Sequence, residues 1–398
     1  MEQVSSLKTG VKYKDTPIGK IPVDWEVTSL GKIAYLEYGA SLPERKRNKG
    51  SVPVYGSSGI VGYHSEGLID GPGIIIGRKG TVGAINWVDK NFYPIDTTFY
   101  ISKNQSKAYL KWLFYLLSNL HLERLNITTG VPGLNREQAH SVILPIPPLS
   151  EQKQIADILT TVDETIAKTT QIIDKTKELK KGLMRRLFTQ GIGRKRFKKT
   201  ETGEIPVEWD VGQVSDYGDI VTGNTPSTNI QEYYGDEYPF ASPFDLGEKK
   251  TIFQTEKYLS EDGLSVTRVV PHNSVLVVCI GSTIGKTGIA GTTLATNQQI
   301  NSIICKDSDY NFVYYYLTFI SQKIKLLAST QAVPILNKGD FSKIRAPFPT
   351  VDEQKRIGSI LSSVDEEIEK EMNHKEQLES LKKGLMQVLL TGKLRVAV

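Results

Sequence analysis

The run GSTIGKT (281–287) follows a β-branched stretch and carries the residue types of a phosphate-binding loop. Its spacing argues against one. A P-loop needs four residues between its first glycine and Gly-Lys, so that successive N–H groups wrap a phosphate. Only three stand between Gly281 and Gly285. The equivalent run in the first half, GRKGTVGA (77–84), has no Gly-Lys-Thr. What both runs can supply is a glycine-cornered turn. It presents Arg78, Lys79 and Thr81, or Ser282, Thr283 and Lys286, to a backbone phosphate of nucleic acid. Other chemistry is not supported. The histidines (64, 121, 140, 272 and 374) lack metal-ligand spacing, and no Ser/His/Asp set occurs in both halves. His64, in a Gly-rich loop, has a structural or solvent role as its default reading. There is no Asn/Asp-Pro-Pro-Tyr tetrapeptide of a methyltransferase and no carboxylate cluster with a lysine of a nuclease.

Basic and polar residues gather in a few loops. ERKRNK (44–49) holds Arg45, Lys46 and Arg47, and VYGSSGIVGYH (54–64) follows with Ser57 and Ser58. In the second half Thr225, Ser227, Lys249 and Lys250 fall in the corresponding loop-rich segment. TTGVPGLNREQ (128–138) and STQAVPILNKGD (329–340) place Asn135–Arg136 and Asn337–Lys338 either at a nucleic-acid surface or in a buried turn. Between Lys177 and Lys199 ten Lys/Arg stand against one acid, Glu178. Residues 194–199 are either part of a basic surface or a solvated linker.

These loops need a scaffold, and the chain supplies it twice. GKIPVDWEV (19–27) matches GEIPVEWDV (203–211), pairing Trp25 with Trp209 at an offset of 184, and Gly39 with Gly223. IIIGRKGTVG (74–83) matches VVCIGSTIG (277–285) at an offset of 202. The second copy therefore holds 18 additional residues within 224–275. Each copy predicts an entry turn, short strands such as Gly73–Ile76 and 274–280, and an amphipathic helix (Lys107–Leu122 or 311–327). A proline-punctuated segment then leads into a long helix. The fold class is α/β (α+β).

The long helices are the best-signalled elements. Residues 151–187 and 353–389 share 18 of 37 positions, including LKKGLM at 179–184 and 381–386. Ser150 and Asp352 are expected as N-caps, with Glu151 and Glu353 at the positive helix end. Ile155, Leu159, Val162, Ile166 and Leu183 lie on a three-and-four spaced stripe, as do Ile357, Leu361, Val364, Ile368 and Leu385. These ten are expected to pack the two helices against each other, antiparallel about a pseudo-two-fold axis. Gly182 and Gly384 recur inside the pattern and suggest close approach of another backbone. The expected boundaries are a first domain at 1–147, a spacer helix at 148–190, a linker at 191–202, a second domain at 203–349 and a second spacer helix at 350–392.

Length and composition fit this plan. The 398 residues suffice for two or three domains; 39% are hydrophobic, 23% charged, and the net charge is +5. That charge is too weak alone to prove a nucleic-acid partner. Two cysteines, Cys279 and Cys305, exclude a disulfide or zinc framework repeated in both halves and suit a reducing cytosol. The polar start, MEQVSSLKTGVKYKD, predicts no signal peptide, and the most apolar run, YLKWLFYLLSNL (109–120), is too short for a bilayer.

Taken together, G-K/E-I-P-V-D/E-W, the G-T/S-V/I-G turn, V-P-x-L-N, P-x-P…EQK/R-I and LKKGLM, each present twice, resemble the specificity subunit of type I restriction–modification systems. The resemblance covers nearly the whole chain. It implies two target-recognition domains, each reading one half of a split, asymmetric duplex DNA target. It implies that the paired helices set the gap and dock two modification (methyltransferase) subunits, joined by restriction subunits, in the cytoplasm. It also implies a non-catalytic chain with no cofactor of its own, while S-adenosylmethionine, ATP and Mg²⁺ serve the partners. A solitary methyltransferase or nuclease of this architecture is the alternative from another class. The first copy departs from the second at Gly130 and Gly133, where Ala332 and Ile335 stand.

Overall fold

The computed structural model describes residues 11–125, 133–328 and 333–396. Gly130 and Ala332 lie outside these residues. The chain divides into two compact units, Met1–Thr170 with Asn373–Val398, and Gln171–Met372. These differ from the expected boundaries: each long helix contributes its first part to one unit and its last part to the other.

In the first unit the continuous apolar strand Gly73–Gly77 is buried on both faces. It pairs antiparallel with Thr98–Ser102 and Ile85–Val88, and Glu37–Tyr38 completes a four-stranded sheet. The helix Leu110–Asn119 covers it, bringing Trp112, Leu113 and Leu116 onto Ile74, Ile76, Phe99 and Ile101. A second sheet joins Gly59–His64, Val52–Gly56 and Tyr93–Pro94. His64 is buried there and accepts from the Asn48 N–H at 2.9 Å, which makes its role the structural one of the two expected.

The second unit repeats this plan with Val275–Val278, Thr287–Ala290, Ile300–Cys305 and, in the place of Glu37–Tyr38, Gly218–Thr222, extended by Thr251–Ile252. Its other sheet has five strands: Tyr234–Gly235, Lys257–Leu259, Tyr238–Ala241, Leu294–Thr296 and Val269–Val270. Residues 224–275, where the additional length was placed, supply four of these and Thr251–Ile252. The helix expected at 311–327 is broken into Tyr310–Phe319 and Ser321–Leu327. The break falls at Ile320, whose φ of −90° and ψ of 10° lie outside the α-helical range. Gly39 and Gly223 are equivalent in space as well as sequence. A Cβ would lie 2.1 Å from the Ile95 carbonyl or 2.2 Å from that of Thr296.

The long helices span Leu149–Gln190 and Val351–Leu389. Ser150 and Asp352 are therefore inside them, not at the caps. The ladder starts earlier, because the Gln152 N–H bonds the Pro148 carbonyl and the Gln354 N–H that of Thr350, both at 2.9 Å. The reason is the buried side chain of each glutamine. Gln152 donates to the Pro147 carbonyl at 2.9 Å and accepts from the Tyr109 N–H at 2.8 Å. Gln354 does the same with Pro349 at 3.1 Å and Asp309 at 3.0 Å.

Both units are tied by the same two clasps. In the first, Glu151 is fully buried and receives the Arg395 guanidinium through Nε at 2.6 Å and Nη2 at 2.7 Å, and the Trp25 indole N–H at 2.9 Å. Asp24 pairs with the same arginine at 2.8 Å. In the second, Glu353 receives Arg194 at 2.5 Å, Trp209 at 3.1 Å and the Ile192 N–H at 3.1 Å. Burial opposes the Glu353 charge, yet these partners hold its carboxyl below the usual carboxylate range. The other clasp uses the first lysine of LKKGLM: Lys382 reaches Asp163 at 2.6 Å and Lys180 reaches Asp365 at 2.5 Å. Each aspartate also accepts a tyrosine hydroxyl, Tyr115 at 2.8 Å or Tyr315 at 2.6 Å.

Within each unit these contacts run antiparallel: 151 meets 395 where 163 meets 382, and 353 meets 194 where 365 meets 180. The apolar stripe does two jobs. Ile155 and Leu159 enter the first core, with Leu385 packed against it; Ile357 and Leu361 enter the second, with Leu183 beside it. Ile368 is buried too, while Val162, Ile166 and Val364 are half-buried. Beyond the helix-to-helix contacts expected, the first part of each helix also seals its domain core.

Two further expectations are corrected. Residues 191–202 are not a bare linker, since Arg194 closes the Glu353 clasp and Phe197–Thr200 pairs with Gly203–Pro206. Gly182 and Gly384 meet no neighbour: a Cβ at either would find nothing within 4 Å. Gly182→Ala and Gly384→Ala should each raise stability by about 1 kcal/mol through helix propensity. Chemical denaturation checks this, and a loss of stability would mean that the glycines serve a close contact. Among the described residues no helix is long and apolar enough to cross a membrane.

Candidate nucleic-acid interface

Each unit brings its glycine-cornered turn against the described residues of its V-P-x-L-N segment, from Gly133 in the first unit and Val333 in the second. In the first, Lys79 bridges Gly133, and the Leu134 N–H donates to the Arg78 carbonyl at 2.8 Å. In the second, Ile280 bridges Ile335, and the Leu336 N–H donates to the Cys279 carbonyl at 2.8 Å. The turn joins antiparallel strands in both units, Gly73–Gly77 to Ile85–Val88 and Val275–Val278 to Thr287–Ala290. No helix follows it, so GSTIGKT lacks the strand–loop–helix geometry of a P-loop.

The first surface carries an alternating stack of rings and guanidinium groups. Arg136 lies 5.0 Å from the rings of both Tyr35 and Tyr38, and Arg78 lies 5.1 Å from Tyr38. Tyr35 and Tyr38 remain more than two-fifths exposed. Arg78 is also held by donating to the Asp96 carbonyl at 2.6 Å. Lys79 and Thr81 stand exposed beside it. Stacked aromatic–arginine pairs of this kind are suited to bases and phosphates. The two tyrosines were missed in sequence, although YLEYG spaces them three apart immediately before Gly39.

The second surface is amide-rich instead. Thr225 donates to Gln298 at 2.6 Å, and Asn297 and Gln299 bond to each other at 3.0 Å beside the Gly281 turn. Arg268 is exposed there and donates to the Thr222 carbonyl at 2.8 Å. Asparagine and glutamine are the residue types that read adenine edges. TNQQ (296–299) and Arg268 were not singled out, because strand-end amides look like ordinary turn residues in a sequence. Ser282 and Ser227 are exposed on this unit, and Thr283 and Lys286 are half-buried.

Several expected contact residues have other work. Asn135 and Asn337 cap short helices: Asn135 accepts from the N–H groups of Glu137 and Gln138 at 2.8 and 3.2 Å, and Asn337 from that of Asp340 at 2.9 Å. Arg136 and Lys338, the first residues of those helices, are the groups each turn presents. Ser57 is buried and donates to the Thr97 carbonyl at 2.6 Å, leaving Ser58 exposed at the turn. Arg47 ties its loop to the Leu42 and Val61 carbonyls at 3.3 and 2.8 Å, while Arg45 and Lys46 are exposed. Lys250 points elsewhere, donating to Ser362 on the second long helix at 2.7 Å and lying 4.7 Å over the Tyr315 ring. Burial pushes its ammonium below the ordinary lysine range. Lys249 is exposed. Burial raises both cysteine thiols to about 12, so neither is a ready nucleophile. Among the described residues no group of three or more His, Cys, Asp or Glu could hold a metal ion.

Comparison with known proteins matches residues 22–178 and 206–380 to the type I restriction modification DNA specificity domain, once per repeat. The MjaVIII specificity subunit of a type I restriction enzyme from Methanocaldococcus jannaschii is 30% identical, over 81% of this chain and 76% of its own. The MjaX relative from the same organism is 30% identical, over 96% of this chain and 97% of its own. The EcoR124I/EcoR124II specificity subunit of Escherichia coli is 24% identical, over 92% and 90%. The crystal structure of a type I restriction–modification S subunit from M. genitalium shares the fold with a TM-score of 0.65 at 14% identity, covering 96% of this chain and 97% of that one. Two matched domains spanning both halves, on a scaffold of mixed sheets and two long helices, settle the family. This chain belongs to the type I restriction–modification specificity subunits, which are non-catalytic.

Proposed function

We propose that this chain reads duplex DNA for a type I restriction–modification complex in the cytoplasm, each unit recognising one half of a bipartite, asymmetric target. The observation that carries the reading is the pair of turn surfaces built on one scaffold with different side chains. One offers the Tyr35–Arg136–Tyr38–Arg78 stack, the other the amides of 297–299 with Arg268. The exposed cations Lys79 and Lys338 suit phosphates, which supply affinity without sequence information. The long helices dock two modification subunits, and restriction subunits join that core. The chain holds no cofactor itself; S-adenosylmethionine, ATP and Mg²⁺ serve its partners.

The test is binding by the chain assembled with its modification subunits, measured against a library of duplexes at several salt concentrations. Selection of a split, asymmetric sequence is expected. Lys79→Ala should weaken binding across all sequences and reduce the salt slope by about 1, whereas Arg136→Ala should relax preference at positions in one half-site only. Sequence-blind binding in the full complex would sink the proposal.

A further inference from the structure

The first unit carries a surface groove of about 650 Å³ that the DNA-reading surface does not include. One wall is a face of the first long helix: Leu149, Lys153, Asp157 and Thr160 follow one another at helical spacing. The other is the segment holding Lys103, Lys107 and Lys111, with Trp87 beside them. Lys111 lies 4.1 Å over the Trp87 ring, and Leu149 is 52% exposed. The four lysines face two acids, Asp89 and Asp157, and Asp89 already accepts the Trp87 indole N–H at 2.5 Å. The groove thus joins the apolar Leu149 and Trp87 to a domain wall with three lysines, while Lys153 and Asp157 offset each other on the helix wall.

The second unit lacks the corresponding lysines: with Tyr109 and Asp309 matched by their bonds to Gln152 and Gln354, Lys107 and Lys111 become Asp307 and Asn311. Ser362 is the counterpart of Thr160, and Tyr315 of Tyr115, since each tyrosine bonds the equivalent aspartate. Lys250, from the segment with the additional residues, lies on this spot, bonded to Ser362 at 2.7 Å and 4.7 Å above Tyr315. Of the helix-face counterparts, Val351, Lys355 and Ser359 stay exposed and Ser362 carries Lys250.

We propose that the first unit binds one acidic amphipathic helix of a partner protein in this groove, and that the absence of the domain-wall lysines denies the second unit an equivalent site. An occupant with an apolar ridge and carboxylates beside it matches Leu149, Trp87 and the lysine excess of the lining. The proposal does not depend on DNA being read, and its test contains no DNA in the first arm. The full chain is titrated with a synthetic amphipathic helix of about 14 residues, roughly 20 Å long. Its apolar face is Leu and Phe and its flanks are Glu, and a control peptide has Lys for every Glu. Polarisation of a labelled peptide gives affinity and stoichiometry. Tryptophan fluorescence reports the place, because Trp25, Trp112 and Trp209 are at most 1% exposed, leaving Trp87 as the accessible indole.

The acidic peptide should bind once per chain, about tenfold or more tighter than the basic one. The double variant Lys107→Glu, Lys153→Glu should weaken it about tenfold, and Lys257→Glu, on the second unit, should not. Trp87→Phe should remove the fluorescence change while polarisation still reports binding. Equal affinity for both peptides, two sites per chain, or a fluorescence change that survives Trp87→Phe would overturn it. So would a random-sequence duplex whose binding the double variant weakens as much as the peptide's, which would assign the groove to DNA.

Discussion

Replacing Glu151 with alanine should lower the stability of the first unit by about 3–5 kcal/mol, the cost of breaking a buried ion pair. The Arg395 side chain is 5% exposed and loses two charge-assisted bonds, keeping the pair with Asp24, which is itself half-exposed. The Trp25 N–H, also buried, loses its acceptor. For a unit of this size the midpoint should fall by about 10 °C. Glu353→Ala should cost less, because the Arg194 side chain is 32% exposed and can rehydrate. Differential scanning calorimetry of both variants decides: an Glu151→Ala loss equal to or smaller than that of Glu353→Ala would remove the argument from burial. The depressed Glu353 carboxyl adds a sign. Its contribution is complete above the unfolded value of about 4.3 and is lost as pH falls through the lower folded one.

A fragment of residues 1–200 should form a homodimer. In the full chain its last helical part packs into the second unit, where Met184, Leu187 and Phe188 are buried, Lys180 holds Asp365 and Arg194 holds Glu353. The fragment lacks those partners but contains their repeats, Asp163 and Glu151 with Trp25, on a second copy. A monomer would leave Phe188 and Leu187 in water, at a cost of roughly 1.5–3 kcal/mol each. Sedimentation should therefore give twice the fragment mass. Lys180→Glu with Arg194→Glu should weaken association by about 100-fold or more, since each reversal sets like charges against a carboxylate. A folded fragment that stays monomeric would contradict the interchangeability of the clasps. With its modification subunits, such a dimer should prefer a symmetric target.

The scaffold was legible in the sequence because it is written twice. Repetition marked Trp25 and Trp209, the glutamate–glutamine start of each helix and LKKGLM, and the helical stripe set both long elements. What repetition did not disclose is what those residues touch. Glu151 looked like a dipole-favouring first-turn acid, yet it sits fully buried against an arginine 244 residues away. Gly182 looked like a close contact and is open. The candidate interface was legible in part: the turns at 77–84 and 281–287 do meet the segments at 133–136 and 335–338. Residue type could not separate Asn135, a helix cap, from Arg136, a stacked cation, because adjacent residues on a turn diverge by geometry that spacing does not encode. Nor could it find Tyr35 and Tyr38, whose value lies in neighbours about 40 and 100 positions further along.

The dependence of the first unit on residues 373–398 also has a consequence for the order of synthesis. Domains emerging from a ribosome ordinarily fold from the N-terminal side first. Here residues 171–372 form a contiguous unit and can finish first. The unit that begins the chain must wait, with Glu151 and Trp25 unclasped, until Arg395 has been added. The nascent protein therefore completes its second half before its first.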